Sequence, residues 1–153
     1  MKLWEPGTDL TVDEIIVPYD GRSKMKTHIP GKPNPDGIKL WGLGQNNYLI
    51  TWNYHIPGQG NGPLDTPTPI ALRGSKRGKG GNKTQAVVAK LVRGLHTNPC
   101  GYHLWVNNLF TSTRFLEYMR TLNIGVTGTT RGNAGILQEI LDVKESDKGD
   151  KLP

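Results

Sequence analysis

The chain has 153 residues, enough for one hydrophobic core of ordinary domain size and too few for a second. Apolar residues make up 35%, and 20 Gly with 11 Pro form about a fifth of the chain, which excludes a coiled coil or helical bundle and calls for several turns and an open loop. Lys and Arg number 19 against 13 Asp and Glu, and the resulting +6 is a mild pointer toward a polyanion such as nucleic acid.

A single cysteine excludes an intrachain disulfide framework and any multi-cysteine zinc site. Met1 to Pro6 has no apolar segment of the signal-peptide kind, and no stretch nears the roughly 20 apolar residues of a membrane span. The expectation is an intracellular chain, in the nucleus or cytoplasm, not secreted and with no membrane partner. The sequon Asn82-Lys83-Thr84 then reads as accidental.

Leu10 to Tyr19 is rich in β-branched residues and ends at the turn Asp20-Gly21, the pattern of a strand. Ile15 and Val17 share one face, Val12 and Ile16 the other, so both faces are expected to be covered, as in a central α/β strand. Asp13 shares the face of Ile15 and Val17, and an acid there needs a reason. Arg22 to Pro35 reads as a basic loop. Ile38–Leu43 and Tyr48–Ile56 read as two strands joined by a turn through Gly44-Gln45-Asn46-Asn47, where Asn tolerates positive φ. In the second strand Trp52, Tyr54 and Ile56 alternate with Leu49, Thr51, Asn53 and His55, which predicts a half-buried strand.

Residues 57–83, rich in Gly, Pro and Lys, form the longest run without an element and read as a flexible basic insertion. Thr84 to Leu95 has apolar residues at helical spacing (Val87, Val88, Leu91, Val92, Leu95). Tyr102–Val106 is a short strand, Ser112–Leu122 a helix capped by Ser112 or Thr111, and Gly125–Thr130 a last strand. Charges alternate from Lys144 to Lys151, so residues 144–153 are expected to be a disordered tail beyond a single domain over 1–143. The order β-β-β-α-β-α-β predicts an α/β mixed sheet, antiparallel at first and then parallel through crossover helices.

Several motifs fail. Gly78 to Thr84 glances at a phosphate loop, but Asn82 stands where Gly is needed, so no nucleotide site is assigned. His28, His55, His96 and His103 are scattered, and nothing marks Cys100 as a nucleophile. Of the tryptophans, Trp41, Trp52 and Trp105 lie on predicted strands and are expected to pack in the core rather than stack on bases.

If the first strand and Tyr102–Val106 are parallel neighbours, Asp13 and Asn107 meet at one side of the sheet. Two carboxylates in such a place, spanned by divalent ions, are the usual machinery of phosphoryl transfer. Here one partner is an amide, whose neutral oxygen holds magnesium weakly. The residues alone give half a site.

These segments carry a resemblance. Val12-Asp13-Glu14, Pro18 to Ser23, Pro30-Gly31-Lys32-Pro33 and Gly37 to Trp41 resemble the start of a piggyBac-type transposase catalytic domain. Val106 to Ser112 is similar to that family's Asp-Asn-Phe-Tyr-Thr-Ser run, and Gly128 to Asn133 to its Gly-Thr-x-Arg-x-Asn segment. The resemblance covers nearly the whole chain in order. It implies an RNase H-like fold of the DDE/DDD class, which cuts and joins DNA through two metal ions held by three acids. The family's first aspartate falls on Asp13 and its second on Asn107. The third lies beyond the residues present, since Glu145, Asp147 and Asp150 come too early. Asp20 is a further departure, where the family often has Lys.

The resemblance therefore implies a transposable-element-derived domain, truncated before the final helices and catalytically degenerate. No cofactor is expected for the chain as it stands, and Mg²⁺ or Mn²⁺ only for an active form. Arg22, Lys24, Lys26, Lys32, Lys39, Arg73, Lys76, Arg77, Lys79, Lys83 and Arg131 are the candidates for nonspecific DNA contact. The alternatives are an active or partner-completed metal-dependent transposase or nuclease, and a protein-interaction domain that keeps only the fold and pairs with itself or with an intact transposase.

Overall fold

The computed structural model describes residues 5–31, 33–58, 62–73, 83–132 and 136–147. Its strands are β1 (Asp9–Pro18), β2 (Lys26–His28), β3 (Asp36–Gln45), β4 (Tyr48–Ile56), β5 (Gly62–Pro63), β6 (Tyr102–Val106) and β7 (Ile124–Gly128). Its helices are α1 (Lys83–Arg93), α2 (Thr113–Thr121) and α3 (Gln138–Asp147), with a 3₁₀ turn at Ile70–Leu72.

The strands form one mixed sheet in the order β5-β4-β3-β1-β6-β7, with β2 alongside β3. β1, β3 and β4 are antiparallel, while β6 and β7 run parallel to β1. The β3–β4 hairpin is closed by Asn46 and Asn47, at φ of 48° and 64°. Two left-handed residues in a row match the twist of the strands they join, and Asn accepts that conformation more readily than other side chains. α1 and α2 then return the chain to the sheet so that β6 and β7 enter parallel, as crossover connections must.

One face of the sheet meets the helices. Leu10 and Val12 of β1, Trp41 and Leu43 of β3, and Leu104 and Val106 of β6 pack against Val87, Val88 and Leu91 of α1 and Phe115 and Met119 of α2. Burying each such side chain contributes about 1.5–3 kcal/mol, so this layer supplies most of the drive to fold. Ser112 caps α2 by accepting from the Phe115 N–H at 3.2 Å.

The other face of β1 and β4 departs from the sequence expectation. Thr11, Asp13 and Val17 are exposed, so among the described residues nothing covers that side of β1 at these positions. On β4 the alternation holds with the inward set reversed: Asn53 and His55 are buried, whereas Trp52 and Tyr54 are 51% and 44% exposed. Asn53 is accommodated because its Nδ2 donates to the Leu64 carbonyl and to Thr66 Oγ1, both at 3.0 Å. Trp105 is also exposed, leaving Trp41 as the one of the three strand tryptophans in the core.

Two further corrections concern segments read as unstructured. Residues 62–73, within the expected insertion, are fastened to the fold: β5 pairs with β4, Leu72 is buried, and Lys90 Nζ donates to the Leu64 carbonyl at 2.9 Å. Lys144–Asp147, expected in a disordered tail, extend α3 instead. Its apolar residues Ile140 and Val143 are exposed, as is Leu137 just before it, and none of the helix's residues is buried.

Candidate functional site

β1 and β6 run parallel in the register Thr11↔Trp105 and Val12↔Val106. The next residue on each, Asp13 and Asn107, therefore comes level just past the carboxyl end of β6. Their side chains meet there: Asn107 Nδ2 donates to Asp13 Oδ1 at 3.0 Å. The same carboxylate oxygen accepts the Glu14 backbone N–H at 2.8 Å. Asn107 Oδ1 accepts the Leu109 N–H at 2.9 Å. These partners fix the orientation of the amide, since its oxygen must face the N–H and its nitrogen the carboxylate.

The segment after Asn107 is held from several sides. Thr111 Oγ1 and the Phe110 N–H donate to the Asn107 carbonyl, at 3.0 and 3.2 Å. Gln85, buried on α1, donates from Nε2 to the Phe110 carbonyl at 3.0 Å and to Ser112 Oγ at 2.7 Å. Gly128 leaves room for this segment, because a β-carbon there would collide with Thr111 Oγ1 and the Val106 carbonyl. Gln85 was not singled out from sequence, although a polar residue beside the apolar stripe of a helix was a visible signal.

This arrangement does not fit a divalent ion as it stands. A cation needs oxygens, yet Asn107 turns its N–H toward Asp13 and commits its oxygen to Leu109. Among the described residues, no group of three or more His, Cys, Asp or Glu side chains is placed to hold a metal. Glu145 and Asp147 lie on the exposed helix α3, and Asp150 lies outside the described residues.

The basic candidates are dispersed. Arg22 and Lys24 are exposed on the connection from β1 to β2, and Lys26 lies on β2 itself. Lys39 is committed elsewhere: it pairs with Glu14 and lies 4.4 Å above the Trp41 ring centroid, so it is not a free phosphate contact. Arg73 is exposed with its Nε donating to the Thr68 carbonyl, and Lys83 opens α1. Arg131 is exposed and donates to Asn108 Oδ1 at 3.3 Å, one residue from Asn107. Lys32, Lys76, Arg77 and Lys79 lie outside the described residues. No described helix is long and apolar enough to cross a membrane.

Comparison with known proteins places this geometry. The family model described as Transposase IS4 matches residues 1–150. The human PiggyBac transposable element-derived protein 3 is 30% identical over 132 residues, covering 86% of this chain and 20% of that protein. The human Chimeric ERCC6-PGBD3 protein is 30% identical over the same length, covering 11% of it. Among solved structures, a piggyBac transposase synaptic complex with hairpin DNA, studied by cryo-EM, superposes with a TM-score of 0.67 at 23% identity, over 90% of this chain and 26% of that one. The chain thus spans about a fifth of the first relative, and its mixed sheet is consistent with an RNase H-like fold. It belongs to the Transposase IS4 family of DDE-type transposases and is a piggyBac-related, transposase-derived domain.

Proposed function

We propose that this chain is a catalytically silent transposase-derived domain whose remaining activity is contact with DNA. The observation that carries the reading is the amide of Asn107 set against Asp13 at 3.0 Å. A two-metal site works by concentrating negative oxygens on the ions, and replacing one carboxylate by a neutral donor removes most of that field. Contact with DNA asks less of the fold. Arg22, Lys24 and Arg131 are exposed, and phosphate binding needs positive charge on accessible side chains rather than a precise constellation. With DNA as the partner, the nucleus is the compartment. A form completed by a carboxylate from another chain, such as an intact transposase, would need Mg²⁺ or Mn²⁺.

The test is titration calorimetry with Mg²⁺ and Mn²⁺ on the parent, Asp13→Ala and Asn107→Asp, with a duplex-nicking assay on the same samples. The reading expects no heat and no nicking from the parent, and metal binding gained on Asn107→Asp. Nicking by the parent that disappears with Asp13→Ala would make the chain an enzyme.

A further inference from the structure

We infer that Thr68 is a phosphorylation site for a proline-directed Ser/Thr kinase, with Arg73 and Arg114 placed to receive the phosphate. The site stands on its own geometry, and only its effect on DNA contact rests on the reading above.

The run Thr66-Pro67-Thr68-Pro69 holds two Thr-Pro steps, the minimal signature such kinases read. Proline biases the residue before it toward an extended backbone and brings no N–H of its own, which suits a chain laid along a kinase cleft. Pro69 has φ −53° and ψ 144°, the polyproline conformation. Residues 66–69 belong to no helix or strand, so presenting them to an enzyme breaks no sheet ladder.

The structure chooses between the two hydroxyls. Thr66 Oγ1 donates to the Leu64 carbonyl at 2.9 Å and accepts from Asn53 Nδ2 at 3.0 Å. Asn53 is buried, and modifying Thr66 would break up its hydrogen bonding. Thr68 stands outside that anchor, and it is the residue that the cations meet. Arg73 Nε donates to the Thr68 carbonyl at 3.1 Å. Arg114, near the start of α2, donates from Nη1 to the Arg73 carbonyl at 2.7 Å. Both guanidiniums rest here on neutral oxygens, and each carries five N–H donors, more than these bonds use.

In the reaction the Thr68 hydroxyl oxygen attacks the γ-phosphorus of ATP and forms the Oγ1–P bond. The bond from that phosphorus to the bridging oxygen breaks, ADP leaves with the electron pair, and the hydroxyl proton passes to the kinase's base. The product carries a charge of about −1.5 to −2 at pH 7. Charge-assisted bonds from Arg73 and Arg114 then tie residues 62–73 to α2, and Arg73 is withdrawn from the groups that meet a DNA phosphate.

The experiment treats the full chain and Thr68→Val with ATP and purified kinases of the cyclin-dependent and mitogen-activated classes, each first shown active on a standard Thr-Pro peptide. Mass spectrometry maps the phosphate. Phosphorus NMR then titrates it in the parent and in Arg73→Gln/Arg114→Gln, with circular dichroism to check that each variant folds. Anisotropy of a labelled duplex compares the parent before and after modification. The inference expects one phosphate at Thr68, absent from Thr68→Val. Its second ionisation should fall below the usual pKa of about 6 and return there in the double variant. Duplex affinity should drop about tenfold. No incorporation at Thr68, or incorporation at Thr66 alone, overturns the inference. So does a Thr68 phosphate whose ionisation ignores the arginine changes. If modification leaves duplex affinity unchanged, the effect on DNA is refuted while the DNA reading stands. If the parent binds no duplex, the DNA reading falls, and the site is decided by the mapping and the NMR titration.

Discussion

Asn107 donates its amide to the same Asp13 oxygen that the Glu14 backbone N–H already reaches. One carboxylate oxygen thus receives two donors at the point where parallel strands β1 and β6 part. Asn107→Asp would replace the amide by a second negative charge and leave two carboxylates in contact. The variant is expected to melt about 2–4 °C below the parent in chelator, and to regain that loss with millimolar Mn²⁺. Thermal unfolding with and without the ion checks this. A variant as stable as the parent in chelator would show that the contact carries little energy.

Gln85 ties α1 to the segment that presents Asn107. Gln85→Leu keeps the volume and leaves the Phe110 carbonyl without its donor. A loss of about 1–3 kcal/mol in urea unfolding is expected, the cost of an unsatisfied buried acceptor. No change in the denaturation midpoint would mean that the carbonyl finds another donor.

Lys90 fastens residues 62–73 by donating to the carbonyls of Leu64 and Asp65 and to Asn53 Oδ1. Lys90→Met retains the stem and removes all three bonds. Hydrogen exchange at the Leu64 amide, which donates to the Tyr54 carbonyl, should then rise by at least tenfold, with α1 and β6 unaffected. Uniform exchange across the chain would instead indicate global destabilisation.

Salt dependence separates the basic residues. Replacing Arg22 or Lys24 by Ala should lower the slope of log affinity for DNA against log salt by about 1 for each phosphate that the native side chain neutralises. Lys39→Ala should leave the slope unchanged, because that ammonium is already held by Glu14 and the Trp41 ring. A reduced slope for Lys39→Ala would show that the ion pair opens on binding.

The meeting of Asp13 with Asn107 was legible in the sequence, because Asp13 lies on the first strand pattern, Asn107 directly follows a later one, and crossover helices make such strands parallel. β4 was legible as an alternating strand, but not which set faces inward. Hydrophobicity favoured Trp52 and Tyr54, whereas Asn53 goes inside because Leu64 and Thr66 satisfy it from a segment further along the chain. The anchoring of residues 62–73 includes one buried side chain, Leu72, and hydrogen bonds to residues distant in sequence, neither of which leaves a periodic trace. α3 did leave one: Leu137, Ile140, Leu141 and Val143 are spaced for a helix, and the charges after them masked it.

The central position of β1 has a consequence for the order of folding. Its antiparallel partner β3 is nearby in sequence, but the contact between Asp13 and Asn107 closes a loop of 94 residues. Long loops are closed late, since their ordering entropy is lost before any contact rewards it. On a ribosome, the β1–β3 pair can assemble while the opposite edge of β1 still offers bare amide and carbonyl groups. That edge becomes shielded only once Tyr102–Val106 has been synthesised and docked, which makes the nascent N-terminal half the stage most in need of a chaperone.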